Sequence, residues 1–525
     1  MSFIINQVRD GISTVSTAIK VLTALNNDYT AFLTRSTSGP STPVANSTAP
    51  YWMDDPPFPE LDENKDPLPS KADTVIIGTG VTGVAAAKTL LELSAGDTDK
   101  RVVALDARKI CSGATGRNGG HIKAGPHIDF ALMRRKLGSA ELARDVVRFE
   151  MRHLPALLEV GEAVPAAEVR EVETVDVFVE KADFEAARRN VEEMKLWLPE
   201  IEVGVWEAEE AREKFDVNEF VAGAVSYKAG ALWPYRLVTS IWKQLTEQFP
   251  QLSIHGDTVV DNIESSSDAA SYPYTIHTSR GTIQARHILH ATNAYTTHLL
   301  PRLRTCLTGG RGQMTAIKAG SSFPITHGKR SWSLIYSPGF DYVTQRPDSA
   351  DGTAGDIMLG GGFLRSSKQG IDQVGIWDDS KNDALPLMHV RGSLATLFEP
   401  RWGGGEGEGA LKKAWTGIMG FTGDMIPFVG SVPESISGRG VKGGRSGGVG
   451  GEWIAAGFNG HGMVWAWLSG TAAAVMMLGK EEEELAKGVG RPGGRLSEWF
   501  PREVVALDER RLRRADLKNL ADEVM

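Results

Sequence analysis

The stretch DTVIIGTGVTGVAAAKTLLEL, residues 73–93, decides the fold. It opens with an apolar run at 75–77 that is typical of a buried parallel strand, and it continues into a helix of small and apolar residues. Between the two stand Gly78, Gly80 and Gly83 in the spacing GxGxxG. The first glycine permits a tight turn, the second lets the backbone approach a pyrophosphate, and the third allows close helix–strand contact. The stretch predicts a Rossmann-type α/β domain with a dinucleotide at the helix N-terminus.

The next predicted strand, VVALDA at 102–107, ends in an acid. Asp106 stands where a dinucleotide-binding domain places the carboxylate that accepts ribose hydroxyls. A cap on the following turn is the alternative role for the same residue. Because Asp106 follows the glycine motif at the expected distance, we favour the ribose role.

A second glycine-rich stretch, SGATGRNGGH at 112–121, distinguishes between the possible dinucleotides. A nicotinamide domain has no need of it, whereas FAD lies extended through the interior and a second loop must pass it. Ser112, Ala114 and Thr115 are predicted to offer hydroxyl and N–H groups to phosphate. Gly119 and Gly120 are predicted to let the chain cross the flavin ring. The sequence therefore favours FAD.

These motifs together carry a family resemblance. DTVIIGTGVTG, VVALDA and SGATGRNGGH resemble the D-amino-acid oxidase-type FAD-dependent oxidoreductases, and most of all their gamma-glutamylputrescine oxidoreductase-like amine oxidases. ILHATNAYTTHLLP (288–301), RGQMTA (311–316) and WIAAGFNGHGMVWAWLSG (453–470) extend the resemblance over about 70–480. The resemblance implies a discontinuous Rossmann-type FAD-binding domain, a second domain with a mixed or antiparallel sheet, and FAD as the cofactor.

The predicted cofactor-binding residues come from four stretches of the chain. They are Gly78, Gly80, Val81, Thr82, Gly83, Asp106, Ala107, Ser112, Ala114, Thr115, Gly116, Asn118, Gly119, Gly120, His121, Ala291, Thr292, Asn293, Gly457, Asn459, Gly460, His461, Gly462 and Met463. The last of these stretches precedes a helix. A helix N-terminus aimed at the pyrimidine end of a flavin would stabilise negative charge on the reduced ring.

Few catalytic side chains are expected, because a flavin amine oxidase mainly orients a neutral amine beside the ring. His121, His461, Tyr336 and Tyr342 are the predicted catalytic residues. Trp332, Phe421 and Asp424 are predicted to lie near the same site. Arg311 and Arg346 are candidates to bind a substrate carboxylate, but structural ion pairs are the alternative for both. Arg117 is predicted either to neutralise phosphate or to order its loop, and Cys111 to be a core residue or a covalent link to the flavin.

Composition restricts the partners. The 525 residues carry a formal net charge of −9, which argues against nucleic acid or an anionic membrane as a main partner. The two cysteines, Cys111 and Cys306, allow neither a disulfide framework nor a cysteine zinc site, so we expect no metal and a cytoplasmic location. No stretch has about 18 uncharged apolar residues, so no transmembrane helix is predicted. Weak membrane-surface contact by an N-terminal amphipathic helix stays open.

Three parts of the chain are predicted. Residues 1–70 form an N-terminal helix packed on the body and a Pro/Ser-rich leader, which Tyr51, Trp52 and Phe58 anchor. Residues 71–480 form the oxidoreductase, with FAD-binding segments at about 71–130, 223–300 and 410–480 and a substrate domain at about 131–222 and 301–409. Segments 311–317, 332–346 and 355–362 alternate like strands of a second sheet. Residues 481–525 form a solvated helical tail.

The predicted function is FAD-dependent oxidation of a C–N bond, in an amine or amino-acid-like small molecule, to an imine, with oxygen as acceptor. Two alternatives remain open. One is a flavin dehydrogenase that uses another electron acceptor. The other is a flavin-binding trafficking or scaffold protein with little catalysis. The N-terminal helix and the leader are the features that favour this alternative.

Overall fold

The structure, a computed structural model, describes residues 2–64, 66–266, 271–402, 409–440 and 450–520. Its strands are β1 Lys71–Ile77, β2 Val102–Leu105, β3 His121–Ile122, β4 Arg170–Phe178, β5 Val203–Glu207, β6 Gly223–Ala231, β7 Leu252–His255, β8 Val260–Ser265, β9 Tyr274–Thr278, β10 Gly281–His290, β11 Leu307–Ile317, β12 Arg330–Ile335, β13 Phe340–Gln345, β14 Ile357–Gly361, β15 Leu411–Thr422, β16 Phe428–Ser431 and β17 Gly451–Ala456. Its α-helices are α1 Ser2–Thr37, α2 Val81–Leu93, α3 Pro126–Leu137, α4 Ala140–Met151, α5 His153–Glu162, α6 Lys181–Trp197, α7 Ala208–Phe215, α8 Pro234–Gln248, α9 Thr296–Leu299, α10 Ala384–Phe398, α11 Glu434–Ser437, α12 Ala466–Met477, α13 Arg502–Val505 and α14 Glu509–Arg514.

The first sheet is the predicted Rossmann-type sheet. Its order is β16-β17-β10-β1-β2-β7, and β8 and β9 extend from β10. The strands from β17 to β7 are parallel, and β16 is antiparallel at the edge. The central strand β1 is buried from residue 74 to residue 77, which explains its continuous apolar run.

The second sheet has the order β15-β11-β14-β13-β12-β4-β6-β3, and β5 pairs with β6. The sheet is antiparallel except where β12 runs parallel to β4, so the prediction of a second, mixed sheet is confirmed. The segment bounds need two corrections. β6, predicted in the FAD-binding segment 223–300, and β15, predicted in the segment 410–480, both belong to this second sheet. Their pairing partners β4 and β11 lie far away in sequence, so periodicity alone could not assign them.

Helices α2 and α12 pack closely on each other beside the first sheet. A Cβ atom on Gly470 of α12 would lie 2.3 Å from the carbonyl oxygen of Thr82 in α2. Small side chains at 85–87 and 472–474 line the same contact zone and are fully buried. This packing brings the N-termini of the two helices to one side of the sheet, where each follows a predicted cofactor-binding stretch.

The N-terminal helix differs from its prediction. Tyr29, Phe32 and Leu33 pack on the body, where Phe32 is 2% exposed. Ile19 and Leu22, one turn apart earlier in α1, are 59% and 66% exposed. Among the side chains of α1 that the structure describes, those at its C-terminal end pack on the body as predicted, whereas the apolar side chains between residues 19 and 25 face solvent.

The leader is anchored as predicted at Trp52. This side chain is 1% exposed, and its indole N–H donates to the carbonyl of Asn118 at 2.6 Å. Residues 41–43 of the leader line a cavity that residues of both sheets also line. Its position next to the second glycine-rich stretch makes the leader part of the site, which the sequence did not indicate.

The predicted helical tail after residue 480 is wrong over most of its length. Residues 481–501 contain no α-helix, because consecutive glutamates repel and Gly490, Pro492 and Gly494 disfavour helix. The tail is also not solvated, since Trp499, Phe500 and other apolar side chains are buried in the main core. Among the described helices, none is both long enough and apolar enough to cross a membrane.

Candidate functional site

A cavity of about 640 Å³ lies between the two sheets. Both glycine-rich stretches, the 291–293 turn and the 459–463 motif line it. We call the part lined by residues 78–82, 106–108 and 258–260 the nucleotide end. We call the part lined by Lys123, Asp176, Ser333, Ile335, Phe340 and Tyr342 the substrate end.

The glycine motif builds the nucleotide end from backbone. Gly80 caps α2 and borders the cavity. A Cβ atom there would lie 2.8 Å from the hydroxyl of Thr115, which accepts from the N–H of Val81 at 3.1 Å. Gly78 has a φ of +109°, and its Cβ would meet the carbonyl oxygen of Ala291 at 2.5 Å. Gly83 faces away from the cavity, and its Cβ would meet the Gly78 carbonyl oxygen at 2.0 Å, so it serves helix–strand contact.

Asp106 follows β2 and lines the nucleotide end. Its carboxylate accepts from the hydroxyl of Thr79 at 2.6 Å and from the Thr79 N–H at 3.1 Å. The N–H of Arg108 also donates to it, at 3.2 Å. Burial raises the pKa of Asp106. The side chain is therefore fixed in orientation by the 78–80 turn and by its own turn, where it fulfils the capping role, and the ribose role stays a prediction.

The glycines of the second glycine-rich stretch lie close to other parts of the protein. A Cβ on Gly119 would lie 2.4 Å from the ring of Tyr342, and a Cβ on Gly120 would lie 2.4 Å from the carbonyl oxygen of Leu232. A Cβ on Gly116 would meet the Cys111 carbonyl oxygen at 2.4 Å. These glycines allow close packing within the protein. Gly119 also lines the cavity, whereas Gly116 and Gly120 do not.

Arg117 orders the loop and the leader. Its guanidinium donates to the carbonyl of Thr416 at 2.8 Å and to the hydroxyl of Ser47 at 2.6 Å. Asp379 lies 3.5 Å away and also pairs with Arg108 at 3.1 Å. Burial lowers the pKa of Arg117 to about 10. Of its two predicted roles, these contacts favour the structural one.

Asn293 holds the C-terminal motif against the 291–293 turn. Its side-chain oxygen accepts from the N–H of Gly457 at 2.9 Å and from the N–H of Phe458 at 3.2 Å. Asn459 in turn accepts from the N–H of Thr422 at 2.8 Å. The motif is thus tied to both sheets, and Gly460 and His461 are presented to the cavity.

The substrate end contains a polar wall that the sequence did not indicate. Lys123, directly after β3, pairs with Asp176 on β4 and also donates to Ser333 on β12. Asp176 is fully buried, and the hydroxyl of Tyr227 donates to it at 2.8 Å. Lys123 lies two residues after the predicted residue His121, the separation at which side chains of an extended chain share a face, and that spacing is the signal that could have found it.

His121 and Tyr342 stand on the same wall. The ring of His121 shares a hydrogen bond of 2.9 Å with the hydroxyl of Ser331. Burial, with Lys123 nearby, lowers the pKa of His121 well below its usual value. Burial raises the pKa of Tyr342 to about 12, and its hydroxyl donates to the sulfur of Met314 at 3.0 Å. At neutral pH the imidazole is therefore uncharged and the phenol keeps its proton.

Strand alternation decides which predicted residues reach the cavity. On β12 the side chains of 331, 333 and 335 face the polar wall, whereas Trp332 is fully buried on the other face, against Phe398. The placement of Trp332 near the flavin is therefore wrong. Tyr336 lies beyond the end of β12 and outside the cavity wall, where it donates to Asp341 at 2.8 Å.

The remaining predicted residues also divide into those that line the cavity and those that do not. Phe421 lines the cavity, but Asp424 is paired with Arg511. Arg311 pairs with Asp383, and Arg346 pairs with Glu168, so both arginines make structural pairs. The predicted cofactor residues that line the cavity are Gly78, Gly80, Val81, Thr82, Asp106, Ala107, Ala114, Thr115, Asn118, Gly119, His121, Ala291, Thr292, Asn293, Asn459, Gly460, His461, Gly462 and Met463. Those outside the lining are Gly83, Ser112, Gly116, Gly120 and Gly457.

Cys111 belongs to the core. It is 1% exposed and lies outside the cavity lining. Burial raises the pKa of its thiol well above the usual value. Of the two predicted roles, these observations favour the core residue over the covalent link.

An acidic cluster lies behind His461. Asp129, Glu150 and His461 bring one ligand atom each within 4.8 Å of one another. The indole N–H of Trp465 donates to Glu150 at 2.6 Å, and the N–H of Gly125 donates to Asp129 at 2.7 Å. Burial raises the pKa of Glu150 well above its usual value, and the Asp129 charge contributes. Burial also raises the pKa of Asp129, so the two neighbouring carboxyl groups both favour the protonated form more than exposed carboxyl groups do.

The residues present fit FAD. Residues from both sheets line the cavity, and a side chain on Gly80 would have to displace Thr115. Val81 and Thr82 place the first turn of α2 on the cavity wall, where helix N–H groups bind phosphate. Gly462 and Met463 bring the turn before α12 to the same cavity.

Comparison with known proteins agrees with this geometry. A family model described as FAD dependent oxidoreductase, DAO, matches residues 73–476. The chain belongs to this family. It is an FAD-dependent oxidoreductase, and the predicted resemblance is confirmed.

Individual relatives are distant but cover most of the chain. A probable oxidoreductase, OrdL, of Rhizobium meliloti (strain 1021) is 24% identical over 432 residues, which are 79% of this chain and 84% of OrdL. The structure of glycine oxidase from Geobacillus kaustophilus superposes with a TM-score of 0.59 at 19% identity, covering 79% of this chain and 96% of that one. L-proline dehydrogenase from P. horikoshii gives 0.56 at 19% identity, covering 78% and 94%. The structural likenesses establish the shared fold.

Proposed function

We propose that the protein oxidises a C–N bond of an amine or amino-acid-like small molecule to an imine, with oxygen as the acceptor. The observation that carries the proposal is the polar wall of Lys123, Asp176 and Tyr227 in the same cavity as the two cofactor motifs. The names of glycine oxidase and L-proline dehydrogenase, both with this fold, point to C–N substrates. When bound, FAD supplies the acceptor for the hydride that leaves the carbon next to nitrogen.

The protein's part is to hold an uncharged amine in line. His121 has a low pKa and remains neutral, so it adds no positive charge that would repel an ammonium group or bind a carboxylate. Tyr342 remains protonated and offers a hydroxyl group at the cavity wall. Met314, Met419 and Phe421 line the same region and limit the access of water.

An anaerobic titration tests the proposal. The purified protein with its FAD is mixed with a panel of primary and secondary amines and amino acids, and its visible absorption is followed. We expect at least one class of C–N compound to bleach the absorption in proportion to the amount added. A flavin that no compound in the panel bleaches would contradict the proposal and would favour the scaffold alternative.

The acceptor is tested in the same cuvette. After bleaching, air is admitted and the return of absorption is timed while hydrogen peroxide is assayed. We expect rapid return with one peroxide formed per substrate. Slow return in air together with rapid return on adding a quinone would replace the oxidase with a dehydrogenase.

A further inference from the structure

The substrate end opens to solvent through an apolar mouth. Phe340 lines the cavity and is also 53% exposed, so its ring spans from the interior to the surface. Leu364 lines the cavity beside it, since a Cβ on Gly339 would lie 3.5 Å from the Cβ of Leu364. Ile335 pairs with Phe340 across the hairpin and continues the apolar lining inward.

The N-terminal half of α10 packs beside the 362–364 segment, outside the cavity lining. A Cβ on Gly362, two residues before Leu364, would lie 3.0 Å from the carbonyl oxygen of Pro386. On either side of Pro386, Leu385 and Met388 are 48% and 71% exposed. His389 shares a 2.8 Å hydrogen bond with Asp341, the neighbour of Phe340, and so ties α10 to the hairpin. We call Phe340 and Leu364, which both line the cavity, the apolar mouth.

The cations of the cavity are already paired. Among the described residues, the lysine and arginine side chains that line it are Arg108, Arg117 and Lys123. Both arginines lie against Asp379, and Lys123 lies against the buried Asp176. His461 also lines the cavity, and its ring lies 4.0 Å from Asp129. A substrate carboxylate would therefore have to displace an existing partner, at the cost of leaving a buried carboxylate unpaired.

We propose that the substrate is an amine with an apolar alkyl or aromatic tail and without a carboxylate beside the amine. This inference rests on the proposed C–N oxidation and names the substrate class. The amine lies at the polar wall, and the tail runs past Ile335 and Phe340 to the apolar mouth. The value of kcat/KM rises about threefold for each methylene that the tail removes from water there, until the tail reaches solvent.

The test compares n-alkylamines from butylamine to decylamine with amino acids of matched side-chain length. The rate of anaerobic bleaching is measured for each compound with the holoenzyme. We expect the rate constant per molar amine to rise about threefold per added methylene and to exceed that of the matched amino acid. A flat series, or faster bleaching by the amino acids, overturns the inference and leaves the C–N oxidation standing. Bleaching by no compound overturns both.

Variants of the mouth sharpen the test. Phe340→Asp and Leu364→Asp should each flatten the chain-length dependence, while the FAD content stays that of the unchanged protein. Ile325→Asp is the matched control, since Ile325 is 83% exposed and lies outside the cavity lining. A chain-length dependence that survives in both mouth variants overturns the placement of the tail.

Discussion

The two ends of the cavity are built from different parts of the chain. At the nucleotide end, backbone and short side chains from residues 78–115 meet. On either side of Gly80, the Thr79 hydroxyl donates to Asp106 and the N–H of Val81 donates to the Thr115 hydroxyl. At the substrate end, side chains from four strands of the second sheet meet, and Asp176 is joined to a lysine 53 residues away.

This difference predicts how the two ends of the cavity respond to substitution. At the nucleotide end a Cβ on Gly80 would lie 2.8 Å from the Thr115 hydroxyl, so a single added group collides with the protein itself. The substrate end has an apolar mouth that is partly exposed, so a changed side chain there alters the surface offered to a ligand. We therefore expect mutations at the first end to remove the cofactor and mutations at the second to change selectivity.

Gly80→Val should have the largest effect, with loss of FAD from the purified protein. The new side chain would displace the Thr115 hydroxyl, only 2.8 Å from the Cβ position, and enter the place of the pyrophosphate. The ratio of flavin to protein absorption measures the result. Gly96→Val is the control, because nothing lies within 4 Å of a Cβ at that position. Full flavin content in Gly80→Val would show that the nucleotide end has been misplaced.

Asp106→Asn should weaken FAD binding by about tenfold to a hundredfold, since charge-assisted hydrogen bonds contribute about 1.5–3 kcal/mol. The amide keeps the shape of the side chain but loses the charge that faces the Thr79 hydroxyl and the predicted ribose. Titration of the apoprotein with FAD gives the dissociation constant. Unchanged affinity would assign Asp106 to turn capping alone.

The two ends of the cavity also differ in how much of their structure the sequence alone predicts. Gly78, Gly80 and Asp106 lie on one strand–turn–helix–strand unit, so their spacing alone indicates their meeting place. Lys123, Asp176 and Ser333 meet only because β4 pairs in register with β12, and no local pattern contains that register. Trp332 shows the same limit, since a strand shows that its side chains alternate but not which face meets the cofactor.

Acidification should lower the folding stability of the protein through His127, which lies beside the substrate end. This ring is fully buried beside Asp176, and among the described residues neither ring nitrogen has a hydrogen-bond partner. Burial lowers the pKa of His127 to about 4. The unfolded chain therefore binds the proton more readily, and stability falls as pH drops from about 6.5 towards 4.

His127→Phe tests this dependence. Between pH 6.5 and pH 5, the free energy of unfolding should fall by about 1–2 kcal/mol less in the variant than in the unchanged protein. Thermal or urea unfolding at the two pH values measures the difference. His277→Phe, at a half-exposed position beside Glu264, serves as the control. An identical pH dependence in His127→Phe and the unchanged protein would show that His127 takes up its proton within the folded state.

Gly119→Ala should have the smallest effect and decides which end Gly119 belongs to. Its Cβ would lie 2.4 Å from the Tyr342 ring, which a Cβ on Gly360 would also meet at 2.4 Å. The ring is held between two glycines, so we expect it to shift and kcat/KM to fall about threefold to tenfold, because misplacement of a wall residue disturbs substrate orientation. FAD content should stay full. If the variant instead loses its flavin, Gly119 borders the flavin ring as the sequence predicts, and the second glycine-rich stretch belongs functionally to the cofactor rather than to the substrate wall.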